Sequence, residues 1–333
     1  MNNNQNNYYY DSLPWVEKYR PKTLNDMIGH DLIIKTLSKF IVKSELPHLL
    51  FFGPAGIGKT SLIHACIRNI YKEGTNKLMF LELNASDDRG IDIVRKNIKE
   101  FSSTKSPTGE IRIVILDEAD SMTTDAQAAL RRIIEIYTHN IRFCLICNYL
   151  NKILPSLCSR CCIFRLKPLS DEQIMIKLKQ ITDKEKLHIN DDTLHRIIDL
   201  SNGDMRKSIN IIQSCANVTN RLDNNNIYTS IGYPDIRSIE KIINLTSNGF
   251  LENACFYIRY LIKEQNLLLK DIIKLIFNLI MTINIPEFIL IPLIIDISEL
   301  EYRLVSKVNE DIQGGNLVAI LTNAFNKIKQ INN

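Results

Sequence analysis

The sequence predicts an α/β domain on a parallel five-stranded sheet, followed by a small helical lid and a further all-α domain. Three observations carry that expectation. The apolar run Leu49 to Phe52 leads into a glycine-rich stretch, Gly53 to Thr60, and then into a helical pattern. A second apolar run, Ile113 to Leu116, ends in Asp117 and Glu118, as a parallel strand does when its carboxyl end meets a polar ligand. Beyond Pro168 the apolar spacing is helical.

The glycine-rich stretch reads Gly53, Pro54, Ala55, Gly56, Ile57, Gly58, Lys59, Thr60 and fits G-x-x-x-x-G-K-[ST] in the strand-to-helix setting that motif requires. Its glycines let the backbone curl with N–H groups inward at the positive end of the next helix, making a nest for phosphate. Lys59 is placed to reach the β and γ phosphates of ATP and Thr60 to hold Mg²⁺, with Ser61 next in reach of the nucleotide. Leu62, Ile63, Cys66, Ile67 and Ile70 recur at the spacing of one buried face, which anchors the loop to a sheet. A glycine-rich turn before a core helix is the plainer alternative, and the complete motif in its context argues against it.

At 333 residues the chain exceeds one ordinary core and suggests two or three domains. Lys+Arg 41 against Asp+Glu 37 leaves a net charge of only +4, so nucleic-acid contact has to come from local basic groups and not from a uniformly basic coat. The eight cysteines come without an apolar leader, which sets a reducing intracellular compartment as the expectation. Residues 1–12, opening on an Asn-rich low-complexity run, are expected to form a disordered tail. The longest uncharged apolar run, Leu275 to Pro286, is too short for a bilayer at about 20 residues per span and is expected to be a buried helix, so no membrane is expected.

After the tail, Leu13 to Leu24 mixes aromatics, charges and prolines without a period, and Pro14 and Pro21 predict an extended or turned segment. Trp15 and Tyr19 must pack on something. On the residues alone an ordinary aromatic anchor for the amino terminus is the better account, and a wall of the base pocket is the other. Strands are predicted at His48–Phe52, Leu78–Leu83, Ile113–Leu116, Arg142–Cys147 and Cys162–Leu166. Helices are predicted from about Ile91 to Phe101, with Arg95 and Lys99 one turn apart, and from Asp125 to Tyr137. The Arg95/Lys99 flank could hold a phosphate backbone, but on the residues alone a solvated face is the better account.

Asp117 at its strand end can bind Mg²⁺, and Glu118 beside it can polarise an attacking water. Asn148, at the tip of the neighbouring strand, is placed to feel a γ-phosphate; an Asn in a turn would look the same, and its position favours the first reading. Cys144, Cys147, Cys158, Cys161 and Cys162 invite a zinc reading, but residues three apart on a strand face opposite ways, so Cys144 and Cys147 cannot share a metal. Buried thiols acting as small hydrophobes account for them. Ser170 to Gln173 reads as a capping box, and Ser201–Asn202–Gly203 as a turn before another helix. The expected domains are 13–167, a lid at 168–231, and a helical domain at 232–333 that leaves apolar surface over for packing.

These residues resemble the AAA+ clamp-loader ATPases, and among them the small subunits of eukaryotic replication factor C. The carrying motifs stand in family order: Trp15 to Pro21, Gly53 to Thr60, Leu83 to Gly90, Leu116 to Asp120, Ala129 to Arg132, Ser159 to Cys161, and Gly203 to Arg206. Arg142 to Leu150 with Leu13 to Pro21 is most similar to the branch called subunit 5 in animals and subunit 3 in yeast. The resemblance implies an ATPase subunit of a heteropentameric loader in the nucleus, acting with other replication factor C subunits, a PCNA-type sliding clamp and primer-template DNA in replication and repair.

It also implies residue roles. Asn148 matches sensor 1, Arg206 matches sensor 2 on the lid, and Arg160 matches an arginine finger given to a neighbour's ATP. Val16, Arg20 and Ile28 lie where relatives enclose adenine, which moves the reading of the Trp15 to Arg20 segment towards the base pocket. Arg89, Arg95 and Lys99 lie where relatives grip template DNA. Asn84 lies where a polar residue restrains the catalytic glutamate until DNA binds. Ala55 and Ile57 replace the usual Pro and Thr, Cys162–Ile163 replaces a common Thr-Arg, and Ser103 to Glu110 is more polar than the segment many relatives set against the clamp. Two readings of function stay open: a hydrolysing loader subunit, or a nucleotide-binding scaffold and finger donor with little turnover. Another AAA+ motor, a helicase or unfoldase, is a further rival.

Overall fold

The computed structural model describes residues 13–71, 76–86, 91–103, 111–217, 221–222, 227–228, 232–306 and 308–332. The expected tail at 1–12 lies outside them. The chain divides after Ala216 into two compact units. The expected lid boundary at 231 therefore falls inside the second unit.

In the first unit, strands β1 (Leu49–Phe52), β2 (Phe80–Asn84), β3 (Arg112–Asp117), β4 (Ile141–Cys147) and β5 (Cys162–Arg165) form one parallel sheet in the order β2-β3-β4-β1-β5. Helices α1 (Trp15–Lys18), α2 (Asp31–Val42), α3 (Lys59–Ile70), α4 (Asn76–Met79), α5 (Ile91–Ser103), α6 (Thr124–Tyr137) and α7 (Pro155–Cys158) accompany it. One face of the sheet, with Phe51, Ile113, Ile115 and Cys144, packs with Leu37 of α2 and Leu62, Ile63 and Cys66 of α3. The opposite face, with Leu50, Val114, Phe143 and Cys147, packs with Ile98 of α5, Leu130 and Ile134 of α6, and Leu157 of α7. Cys144 and Cys147 thus lie in different layers, as the alternation of strand side chains requires.

Strand alternation explains why β3 and β4 read as continuous apolar runs: helices cover both faces, so neither parity needs polar residues. Local signals set the helix starts. Thr123 caps α6 by accepting from Ala126 N at 3.3 Å. Helix α8 (Asp171–Lys184) opens on a capping box in which Ser170 and Gln173 bond each other's backbone. Helices α9 (Asp191–Ser201) and α10 (Met205–Ala216) complete the unit, α10 packing on α8, α9 and α1.

Several expectations are corrected. The segment predicted as extended forms a single helical turn at Trp15–Lys18, because Pro14, with ψ 139°, stands just before it as the N-cap, where its missing N–H costs the turn no bond and its carbonyl accepts from Glu17 N and Lys18 N at 2.9 Å. The second strand starts two residues later than its apolar run, since Leu78 and Met79 close a short helix. Ile70 is only half-buried, and Gln127 takes a buried place on α6 that no apolar residue marks.

The second unit holds α11 (Ile236–Ser247), α12 (Leu251–Lys263), α13 (Leu269–Thr282), α14 (Glu287–Val305) and α15 (Glu310–Asn332). Ile239, Ile258, Ile272, Ile276, Leu300 and Leu317 are among the residues that close its core. The apolar run Leu275 to Pro286 is not one buried helix: α13 stops at Thr282, and within it Ile276 and Ile280 face the core while Met281 is exposed. A single helix face can meet the core at one time, so the rest of such a run stays outside. Phe256, Phe288, Ile291, Ile295 and Tyr302 are likewise exposed.

Candidate functional site

The site grows from the carboxyl ends of β1, β3 and β4, where backbone leaves the sheet and side chains of three neighbouring strands converge. After Phe52 the chain turns through the glycine-rich loop, and Gly58, with φ 94°, sits as the N-cap of α3. Such a backbone favours glycine, and the next N–H groups open the helix. Gly56 is required for a second reason: a Cβ there would lie 1.7 Å from Oδ1 of Asp204. That carboxylate caps α10 by accepting from the backbone N of Arg206 at 2.8 Å and of Lys207 at 3.2 Å.

Lys59 is buried at the start of α3, and its ammonium donates to Gly53 O at 2.8 Å, Pro54 O at 2.7 Å and Asn148 Oδ1 at 2.8 Å. Burial pushes its pKa below the ordinary lysine value; Asp117 pulls it back up and Arg206 presses it down. Thr60 Oγ1 donates to Asp117 Oδ2 at 2.8 Å, so a hydroxyl and a carboxylate from two elements face each other beside the loop. Hard oxygen donors of this kind fit Mg²⁺, which keeps several waters and takes few protein ligands.

Glu118 follows in the left-handed region at φ 54°, exposed, its N–H donating to the other Asp117 oxygen at 2.9 Å. Asp120 Oδ2 accepts from the backbone N of Asn148 at 3.3 Å and of Tyr149 at 3.2 Å, tying the turn after β3 to the tip of β4. Asn84 stands opposite Asp117 in the β2–β3 register, but its Oδ1 accepts from Ser86 N at 3.0 Å and Ser86 Oγ at 2.9 Å and makes no bond to Glu118.

Beside the loop lies a cavity lined by Val16, Tyr19, Arg20, Met27, Ile28, Ile57, Ser61, Met205 and Arg206. Apolar walls with a few cations at the rim suit a flat heterocycle joined to an anionic tail. Val16, Arg20, Ile28, Ser61 and Arg206 are thus brought together with the loop, while Pro54 and Ala55 form its exposed tip. Arg160 is elsewhere: just past α7 it donates to Ser156 O at 2.7 Å and pairs with Glu135 of α6, which also accepts from Arg131 at 3.1 Å. Those hydrogen bonds, Arg131 first, hold the Glu135 carboxyl below its usual range. Lys99 is exposed on α5; the side chain of Arg95 and the whole of Arg89 lie outside the described residues.

Sequence reading missed three contributors. Gln127, buried on α6, donates to Met122 O at 3.3 Å and Lys152 O at 2.9 Å and accepts from Leu154 N at 2.8 Å, joining the turn after β3 to the segment that leads to Arg160. Its place among the apolar positions Ala126, Leu130 and Ile134 was the available signal. Asp204 had a signal too, a carboxylate just before a helix. Lys177, which lines the cavity from α8, had none.

Family models match in three places: the ATPase family associated with various cellular activities (AAA) at residues 49–169, an RCF1/5-like AAA+ ATPase lid domain at 177–217, and the replication factor C C-terminal domain at 234–320. Replication factor C subunit 5 of Homo sapiens is 45% identical over 92% of this chain and 91% of its own length. The probable replication factor C subunit 5 of Dictyostelium discoideum is 45% identical over 93% of this chain and 90% of its own. Replication factor C subunit 3 of Schizosaccharomyces pombe is 41% identical over 96% and 94%. The chain belongs to the replication factor C family.

As a replication factor C chain it is an AAA+ ATPase of the clamp-loader type, and its similarity runs to the branch named subunit 5 or subunit 3. A likeness to a solved structure, the Thermotoga maritima RuvB Holliday junction branch migration motor, has a TM-score of 0.53 at 18% identity over 72% of this chain and 85% of that one. That likeness concerns the fold alone. The AAA match contains the phosphate loop, Asp117, Glu118, Asn148 and Arg160; the lid match contains Asp204 and Arg206. Among the described residues no helix is long and apolar enough to cross a membrane, and no three or more His, Cys, Asp or Glu side chains gather as a metal site would need.

Proposed function

We propose that this chain binds and hydrolyses ATP as one subunit of a five-membered nuclear loader that opens a PCNA-type clamp and sets it on primer-template DNA in replication and repair. The observation that carries the reading is the double convergence of Lys59 with Asn148 and of Thr60 with Asp117 beside the base-sized cavity. In this reading Gly53 to Ser61 cradle the phosphates, Val16, Arg20 and Ile28 enclose the base, and Asn148 and Arg206 sense the terminal phosphate. Thr60 and Asp117 would hold Mg²⁺, which supplies charge neutralisation at the β and γ oxygens.

Glu118 is the base that orients the attacking water. The residue is exposed beside Asp117, so its carboxylate is free to face a nucleophile. Lys59 neutralises phosphate charge in the ground state. Burial weakens its hold on the proton, so phosphate oxygens are a better set of partners for the ammonium than the neutral carbonyls of its own loop. Arg160, tethered to Glu135 of α6, serves a neighbouring subunit's ATP, and Arg89, Arg95 and Lys99 grip the template phosphates. Asn84 is the restraint on Glu118, a role that requires it to leave Ser86. The domains are proposed as 13–167, 168–231 and 232–333, the last packing against the other subunits through its exposed apolar side chains.

The test is ATP turnover of the purified complex, with and without clamp and primed DNA. Joint stimulation that disappears when this chain alone carries Glu118→Gln supports the proposal. Undiminished turnover in that complex would instead make this chain a nucleotide-binding scaffold.

A further inference from the structure

Residues Trp15–Tyr19 supply one wall of the base cavity, through Val16 and Tyr19, yet their bonds run to the lid helices. Trp15 N donates to Gln213 Oε1 on α10 at 3.0 Å. Glu185, the residue that caps the carboxyl end of α8, accepts on one oxygen from Lys18 Nζ at 2.7 Å and from Tyr19 Oη at 2.5 Å. The Lys184 ammonium stands 5.9 Å from the centre of the Tyr19 ring, and the Trp15 ring meets Tyr19 edge-on at 6.4 Å. Helix α1 packs on α10. A helix of one turn has almost no cohesion of its own, so these contacts decide where it sits.

A few residues on, the chain changes allegiance. Lys22 O accepts from Arg68 of α3 at 3.4 Å, and the turn Leu24–Asp26 packs on α3, the helix that begins at the phosphate loop. Arg20 and Pro21, both lining the cavity, lie between the part held by the lid and the part held by the sheet domain.

We propose that Glu185 is a positioning residue for the nucleotide base: it clamps the Lys18–Tyr19 turn to the lid, so that Val16 and Tyr19 travel with the lid and close on the base from its side. The inference rests on the reading of this cavity as the ATP site. Glu185 does not line the cavity itself and acts through Tyr19 and Lys18. Its side chain and that of Lys18 are only 18% and 22% exposed, so the pair is less screened than a surface ion pair.

The experiment is titration of the full chain with ATP and with ADP, for the wild type, Glu185→Gln, Glu185→Lys, Lys18→Glu, Tyr19→Phe, and Lys18→Glu combined with Glu185→Lys. Glu185→Gln should raise both dissociation constants by about fivefold and by the same factor, because base and ribose are common to the two ligands while the γ-phosphate is not. Tyr19→Phe, which removes one hydroxyl only, should raise both by a smaller common factor. Reversing the pair should restore binding to within about twofold of wild type, a rescue that a general loss of folding would not give. Wild-type binding with unchanged constants for Glu185→Gln and Glu185→Lys, or a reversed pair no better than its single members, overturns the inference alone. Failure of the wild-type chain to bind ATP overturns the reading of the cavity and the inference with it.

Discussion

Lys59 Nζ donates to Asn148 Oδ1 at 2.8 Å, joining the first residue of the phosphate-loop helix to the tip of the strand beside the Asp117 strand. The same ammonium holds two carbonyls of its own loop. A charge held between loop and strand tip can respond to whatever phosphate enters between them.

Lys59→Ala should abolish tight ATP binding, Glu118→Gln should keep it and stop hydrolysis, and Asn148→Ala should lower kcat more than affinity. The division follows from when each group is needed: the lysine in the ground state, the glutamate only as water attacks. Equilibrium binding and single-turnover hydrolysis in the complex separate the three. Single-turnover hydrolysis at this chain's own site that persists with Glu118→Gln would show that another residue orients the water.

Arg160→Ala should leave nucleotide binding by this chain intact and lower hydrolysis at the adjacent subunit by about 10³ or more. Arg160→Lys should not rescue it, because lysine has no planar fork. Turnover is measured in a complex where only the adjacent subunit retains its catalytic glutamate. Glu135→Gln, which loosens the tether of Arg160, should give a smaller loss in the same assay.

Arg89, Arg95 and Lys99 changed together to Ala should weaken primed-DNA binding by the assembled loader with little change in sequence preference. Every cation withdrawn from a phosphate should reduce the slope of log K against log salt by about one. An unchanged slope would remove these residues from the DNA surface.

His48 supplies a pH dependence of stability. Its Nδ1 accepts from Phe143 N at 3.1 Å, leaving Nε2–H to face Thr138 Oγ1 at 3.3 Å, so the ring is held neutral. Burial, aided by the nearby Arg142, pushes its pKa from 6.5 down to about 4. The unfolded chain therefore binds the extra proton first, and stability contributed above pH 6.5 is lost as pH falls towards 4. Thermal unfolding should show a fall in Tm across that window, and His48→Asn, which can still accept from Phe143 N, should flatten it.

The chain order of apolar runs and turn residues was sufficient for the parallel sheet, for the phosphate loop and for the carboxylates after β3, because each depends on spacing along a few residues. Residue type also placed the capping box at Ser170, and periodicity the buried face of α3 except Ile70. It could not place what depends on partners far along the chain. Leu78 to Leu83 is apolar but for Glu82, and only the register with β3 decides that pairing begins at Phe80. Leu275 to Pro286 reads as uniformly buried, and only the packing of α13 decides which side meets the core.

The site divides the same way. Lys59, Thr60, Asp117 and Glu118 announce themselves by residue type and spacing, since phosphate and metal chemistry admits few substitutes. Tertiary structure alone shows that Asp204 closes against Gly56, that Gln127 bridges two loops, and that Trp15–Tyr19 is fastened to the lid through Glu185. A polar side chain gains its role from the donor or acceptor it meets, and Lys18 meets Glu185 across 167 positions of chain. Sequence determined which chemistry the chain can carry; the folded structure decided which parts hold each other while it is done, because hydrogen bonds have a direction and a reach that spacing along the chain does not contain.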